Sequence, residues 1–172
     1  MKKTYLSAVA VLVCAALVGG IAGTSFYTKR HFKEDIVTGP NVTEVFKLSR
    51  YNPNLEGTIG DSDVYVLKGE KEGGSLVVLG STHANEPSGH MAGIILEENA
   101  KVEAGTIYVI PNINNSALTH NDPLDGSPQY MHFTTKNGET RTFQYGSRAT
   151  NPIDQWPDPD IYTHKSSGQT LS

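Results

Sequence analysis

The chain has 172 residues, 37% of them hydrophobic, and a formal net charge of -4, which leaves room for one globular domain with a core of its own plus appendages. Fourteen cationic side chains against 18 acidic ones, with no dense Lys/Arg stripe, exclude nucleic acid as a partner, because phosphate neutralisation needs clustered cations. A small molecule or a peptide is the better-matched substrate.

Lys2 and Lys3 precede an uncharged run from Thr4 to Thr28, and Lys29, Arg30 and Lys33 follow it. At about 1.5 Å per residue that run makes a helix of roughly 37 Å, enough to cross a hydrocarbon core of about 30 Å with some tilt. Residues 1–28 therefore read as a membrane anchor or as a signal peptide cut near Ala22, where Gly20-Ile21-Ala22 approximates a small-x-small cleavage pattern. The run is longer than a typical signal core, which favours the anchor. Either reading puts the remainder outside the cytoplasm, anchored or exported, although positive charge on both flanks blunts the orientation signal. Cys14 is the only cysteine and sits inside this run, so the exported part has no disulfide and no thiol nucleophile.

Residues 29–60 are polar and punctuated by Pro40, Pro53, Gly57 and Gly60, as expected of a linker without chemistry, and the domain proper is expected over 61–172. A strand is predicted over Val64–Leu67, a charged Gly-rich turn over Glu70–Gly74, and a buried strand over Leu76–Leu79. A helix then starts near Pro87, with Asn85 as candidate cap and Met91, Ile94, Ile95 and Glu98 along one side. Thr106–Ile110 is a second buried strand closed by Pro111, which completes a βαβ unit. Its parallel strands bring Asn112, Asn114 and Asn115 out beside His83 and Glu86. Tyr130–Thr134 and Thr140–Gly146 flank Asn137-Gly138, a hairpin signal. From Ser147 onward there is little periodicity, with Trp156 as a packing anchor among prolines. The fold class is α/β: a mixed sheet with a flanking helix, a β-hairpin and an N-terminal hydrophobic helix.

The chemistry is concentrated in SLVVLGSTHANEPSGHMAGIILEEN, Ser75 to Asn99. His83 and Glu86 offer an imidazole nitrogen and a carboxylate oxygen at a strand end, where an α/β protein can assemble a zinc site. Six histidines and 18 acids give roughly 0.6 His-x-x-acid matches by chance, so spacing alone is weak. His31 and Glu34 form a second match, read as accidental. The alternative for His83 and Glu86 is a satisfied loop histidine and a helix-start carboxylate favoured by the macrodipole.

Three blocks, GSTHANEPSG, VIPNINNSA and FQYGSRATNPIDQWPDPDIY, resemble in order the N-terminal part of the catalytic domain of the succinylglutamate desuccinylase/aspartoacylase family, within the zinc carboxypeptidase-like hydrolases. The resemblance covers roughly Asp63 to Ser172. It implies a partial zinc-carboxypeptidase-like fold, with His83 and Glu86 as two of three protein ligands to a zinc whose bound water attacks an amide or ester. The substrate would be an N-acyl amino acid or a peptide.

The family's third histidine, its general-base glutamate and its Asn-x-Asn-Arg-like segment are not found; His90, His120, His132 and His164 lie outside the third-ligand context. The expectation is thus the N-terminal part of a longer hydrolase, inactive by itself. The alternative is a short, membrane-tethered remnant that binds without catalysing. Arg148 can meet a substrate carboxylate or pair with Asp154, Asp158 or Asp160. Asn114, and less so Asn112, can orient substrate or simply turn the loop. His90 backs the site or lies on the surface. A partial sheet should also expose apolar surface, since one helix cannot cover both faces of the two buried strands.

Overall fold

In a computed structural model, residues 2–122, 126–155, 162–163 and 167–171 are described. The chain divides into two compact units, Met1–Lys33 and Glu34–Ser172.

The first unit is α1, Lys2–His31. Its apolar residues are spread around the whole helix, with Leu6, Leu12, Leu17 and Ile21 all exposed, so no single apolar face stands out. Tyr5–His31 is long and apolar enough to cross a membrane and, near the N-terminus, is compatible with a signal sequence or an anchor.

The second unit is built on a four-stranded mixed sheet of order β1-β2-β4-β3, with β1 Val42–Lys47, β2 Asp63–Lys68, β3 Lys71–Leu79 and β4 Ala104–Ile110. β2 runs antiparallel to β1 and β4, whereas β3 and β4 are parallel, with Val78 opposite Val109. The βαβ unit forms as the sequence predicts, its crossover being α2, Pro87–Asn99. Alternation along β2 sorts the core onto two faces. Val64 and Val66 join Phe46 and Ile110 on one; Tyr65 and Leu67 join Val109, Leu96 and Ala100 on the α2 side.

Four expectations are corrected. The stretch read as a linker supplies β1 and two single-turn 3-10 helices, Leu48–Arg50 and Pro53–Leu55. The Gly-rich turn is part of β3, which begins at Lys71 and absorbs the irregularity as a register shift between Lys71 and Ser75. β3 is not buried: it is an edge strand paired to β4 alone among the described residues, and Leu76, Val77 and Leu79 are each more than half exposed. Finally, α2 buries His90, Gly93, Ile94 and Glu97, while Ile95 is exposed, and its N-cap is Glu86, not Asn85.

After β4 comes α3, the single turn Asn115–Leu118, and then the hairpin of β5 Tyr130–Thr134 and β6 Thr140–Gln144. Gly138 takes φ 84° while Asn137 keeps a negative φ, so only one of the two turn residues uses the left-handed region. A two-residue pair, β7 Tyr162–Thr163 and β8 Thr170–Leu171, lies beyond. Trp156 and His164 fall outside the described residues.

Candidate functional site

The C-terminal ends of β3 and β4 are tied together: Gly80 N–H donates to Ile110 (2.8 Å) and Ile113 N–H to Gly80 (3.0 Å). Ser81 then turns the chain with φ 54°, the one non-glycine residue at positive φ among those described. The loop that follows is held by the third sequence block. Ala84 N–H donates to Ser147 (3.1 Å), Gly146 N–H to Ala84 (3.0 Å) and Ser147 N–H to Ala117 (3.0 Å). Ala84, Ala117 and Leu118 pack together beneath. Gly146 has to be glycine, because a Cβ there would stand 2.7 Å from the Ala84 Cβ and 2.8 Å from the Leu118 Cα.

The scaffold brings the candidate side chains to one place. His83 Nδ1 lies 3.2 Å from Glu86 Oε1, and Arg148 Nη1 lies 3.3 Å from the same oxygen. Asn114 Nδ2 reaches the Thr82 carbonyl at 3.4 Å, while its Oδ1 accepts from Ala117 N–H at 3.2 Å and so caps α3. Glu86 does not cap α2 with its side chain; the carboxylate turns instead to the histidine and the arginine. All three side chains reach solvent, with 34%, 58% and 67% of the His83, Glu86 and Arg148 side chains accessible.

Arg148 therefore pairs with Glu86 and not with Asp154, which accepts from the Ser116 hydroxyl at 2.6 Å; Asp158 and Asp160 lie outside the described residues. Asn112 turns away from the site, its side-chain Nδ2 3.4 Å from Glu34 Oε2 and its backbone carbonyl accepting from Ser62 Oγ. Asn115 also bonds Ser62.

His83 Nδ1 and Glu86 Oε1 are at hydrogen-bonding distance, and that separation can also be compared with the one a shared ion would impose. Bonds of about 2.0–2.1 Å at a tetrahedral angle put two donors roughly 3.4 Å apart, close to the observed 3.2 Å. Among the described residues, however, no group of three or more His, Cys, Asp or Glu side chains is placed to hold a metal. His132 is on the hairpin, 2.9 Å from Thr142 Oγ1.

His90 is neither a surface residue nor part of this site. It is buried, with Nε2 2.5 Å from Glu34 Oε1, and that carboxylate also accepts from Gln144 N–H at 2.6 Å. The sequence reading missed this dyad because its members lie 56 positions apart and Glu34 stood in a segment expected to be a linker. His31, on α1, lies against the Tyr27 carbonyl.

A second acidic group lies at the far end of α2. Burial pushes the Glu97 carboxyl up to about 7, opposed by the Gly39 N–H and reinforced by the Glu98 charge. Arg141 forks onto Glu98, and that hydrogen bonding holds its guanidinium above the usual range.

No family model, no curated protein and no solved structure matches this chain.

Proposed function

We propose that the unit Glu34–Ser172 carries part of a zinc-hydrolase-type site, with His83 and Glu86 as metal donors. Arg148 and Asn114 flank them as groups for a substrate carboxylate and carbonyl, and the domain is tethered or exported through its apolar N-terminal helix. One observation supports this reading above the others. The three blocks that carry the family resemblance, far apart in sequence, converge on one loop cluster, where His83 and Glu86 hold a metal-compatible separation of 3.2 Å.

When bound, zinc would polarise a carbonyl and activate water in such a site. Two donors do not make a catalytic centre, which takes three protein ligands, so no hydrolytic step is assigned to these residues alone. The substrate class remains an N-acyl amino acid or a peptide, on the resemblance only. A membrane-tethered binding domain is the second reading, favoured by the Arg148 cation that already occupies the Glu86 carboxylate.

Calorimetric zinc titration of the full chain in detergent micelles tests the proposal. Weak, one-to-one binding that disappears in His83→Ala is the expected result. Unchanged binding in His83→Ala, or none in the native chain, would remove the metal site and leave the binding-domain reading.

A further inference from the structure

The segment Glu34–Asn41, which carries the chain from the apolar helix to β1, has no helix or strand, yet side chains fasten it to α2 along its length. Glu34 meets His90 at 2.5 Å. Val37 N–H donates to Glu98 Oε1 (3.2 Å), Gly39 N–H to Glu97 Oε2 (3.5 Å), and Asn41 Nδ2 to the Ala100 carbonyl (3.0 Å). The strap lies directly on the last turn of α2: a Cβ on Gly39 would stand 2.7 Å from the Glu98 carbonyl carbon.

The weak point of this fastening is Glu97. Its side chain is fully buried, Oε1 has no partner among the described residues, and Oε2 has only the long bond from Gly39. The charged and titratable groups around it offer little relief. Glu98 is its neighbour on α2 and takes the Arg141 fork from β6 for itself. Tyr65 of β2 feels the Glu97 charge and is itself pushed up to about 12, chiefly by burial. Glu34 and Asp35 of the strap add further negative charge around Arg141, and His90 of α2 is committed to Glu34. An ionised carboxylate at this position has one long donor and, for a cation, only the lesser pull of Arg141, whose hydrogen bonds go to Glu98, so its cheapest relief is water, and water enters only if the strap lifts.

We propose that Glu34–Asn41 is a pH-gated latch, closed on α2 while Glu97 keeps its proton and loosened as Glu97 ionises. Once lifted, its eight residues add up to about 27 Å of extended chain, at roughly 3.4 Å each, between the apolar helix and β1. A domain tethered at a membrane would then gain reach as the surrounding pH rises.

Hydrogen exchange of the full chain in micelles, corrected for intrinsic rates and followed over residues 34–41 from pH 5 to 8.5, tests the latch. Protection at Val37 and Gly39 is expected to fall about tenfold per pH unit until Glu97 is ionised in the closed state, and to level off above about pH 7. β4 amides should stay protected throughout, and Glu97→Gln should hold the strap closed at every pH. Protection of the strap that ignores pH, or a Glu97→Gln chain with the native pH dependence, would overturn the proposal. If that variant does not fold, carbon NMR of the native Glu97 carboxyl decides: a midpoint matching the pH where protection levels supports the latch, and a mismatch overturns it.

Discussion

At Ser81 two local costs coincide. The residue sits at φ 54°, and its hydroxyl is buried without a partner among the described residues. A left-handed conformation costs a non-glycine residue about 1–2 kcal/mol, and an unsatisfied buried hydroxyl about 1–3 kcal/mol. Such strain persists only where the surroundings impose it, and here the ties from Gly80 to Ile110 and Ile113 do so immediately before His83. Ser81→Ala removes the hydroxyl cost alone; Ser81→Gly also relieves the strain, less about 0.5–1 kcal/mol of glycine chain entropy. Thermal unfolding should rank Gly above Ala above the native residue. A midpoint for Gly below that for Ala, by the glycine entropy cost alone, would show that the φ is not strained.

Arg148 makes a second prediction at this scale. Its guanidinium shares Glu86 Oε1 with the position a metal would take, so Arg148→Ala should tighten zinc binding. Both side chains are more than half exposed, and such pairs contribute about 0–1 kcal/mol, which limits the gain to roughly fivefold. Titration of the two proteins side by side checks it, and weaker binding in the variant would mean that Arg148 supports the metal rather than competing with it.

The βαβ unit and the hairpin were legible in the sequence because their signals are local: apolar runs of strand length, a proline at a helix start, a glycine in a tight turn. β1 was not legible, since Val42–Lys47 buries only Phe46 and leaves Val45 exposed, too little alternation to mark a strand. The buried face of α2 was misread for a related reason. Polar His90 and Glu97 occupy core positions beside Gly93 and Ile94, and a count of apolar residues passes over them. The His83–Glu86 contact was legible from its spacing, whereas the Arg148–Glu86 pairing depends on the Gly146–Ala84 contact and could not be read from spacing.

β3 shows what periodicity leaves out. Leu76 and Val77 point to opposite faces, as neighbours on a strand must, yet both are more than half exposed. An apolar run says that a strand can be buried, not that a neighbour is there to bury it. Lys71 and Glu72 charge only the start of the strand, so the Ser75–Leu79 edge lacks the lysines and prolines that usually discourage edge-to-edge pairing. Val77→Lys should therefore reduce self-association in light scattering while moving stability by no more than about 0.5 kcal/mol, as for other exposed positions. Persistent association in that variant would place the sticky surface elsewhere.

For the whole folded unit, the buried Glu97 sets a dependence of stability on pH whose sign is fixed by linkage. Its carboxyl is raised from an ordinary value of 4.5 to about 7 in the folded chain, so between those values the folded state holds a proton that the unfolded state has lost. The stabilisation this provides is fully present below about pH 4.5, falls as the pH rises, and is gone above about pH 7. Glu97→Gln keeps the shape and the neutral charge of the protonated acid at every pH. The advantage of the variant over the native chain should grow from pH 5 to 7, by at most about 1.4 kcal/mol per pH unit, and stay constant above that. Urea unfolding of both proteins across pH 5 to 8 measures the difference directly. A difference that does not change with pH would mean that Glu97 is solvated in the folded state, and the acidic end of α2 would then be an ordinary surface.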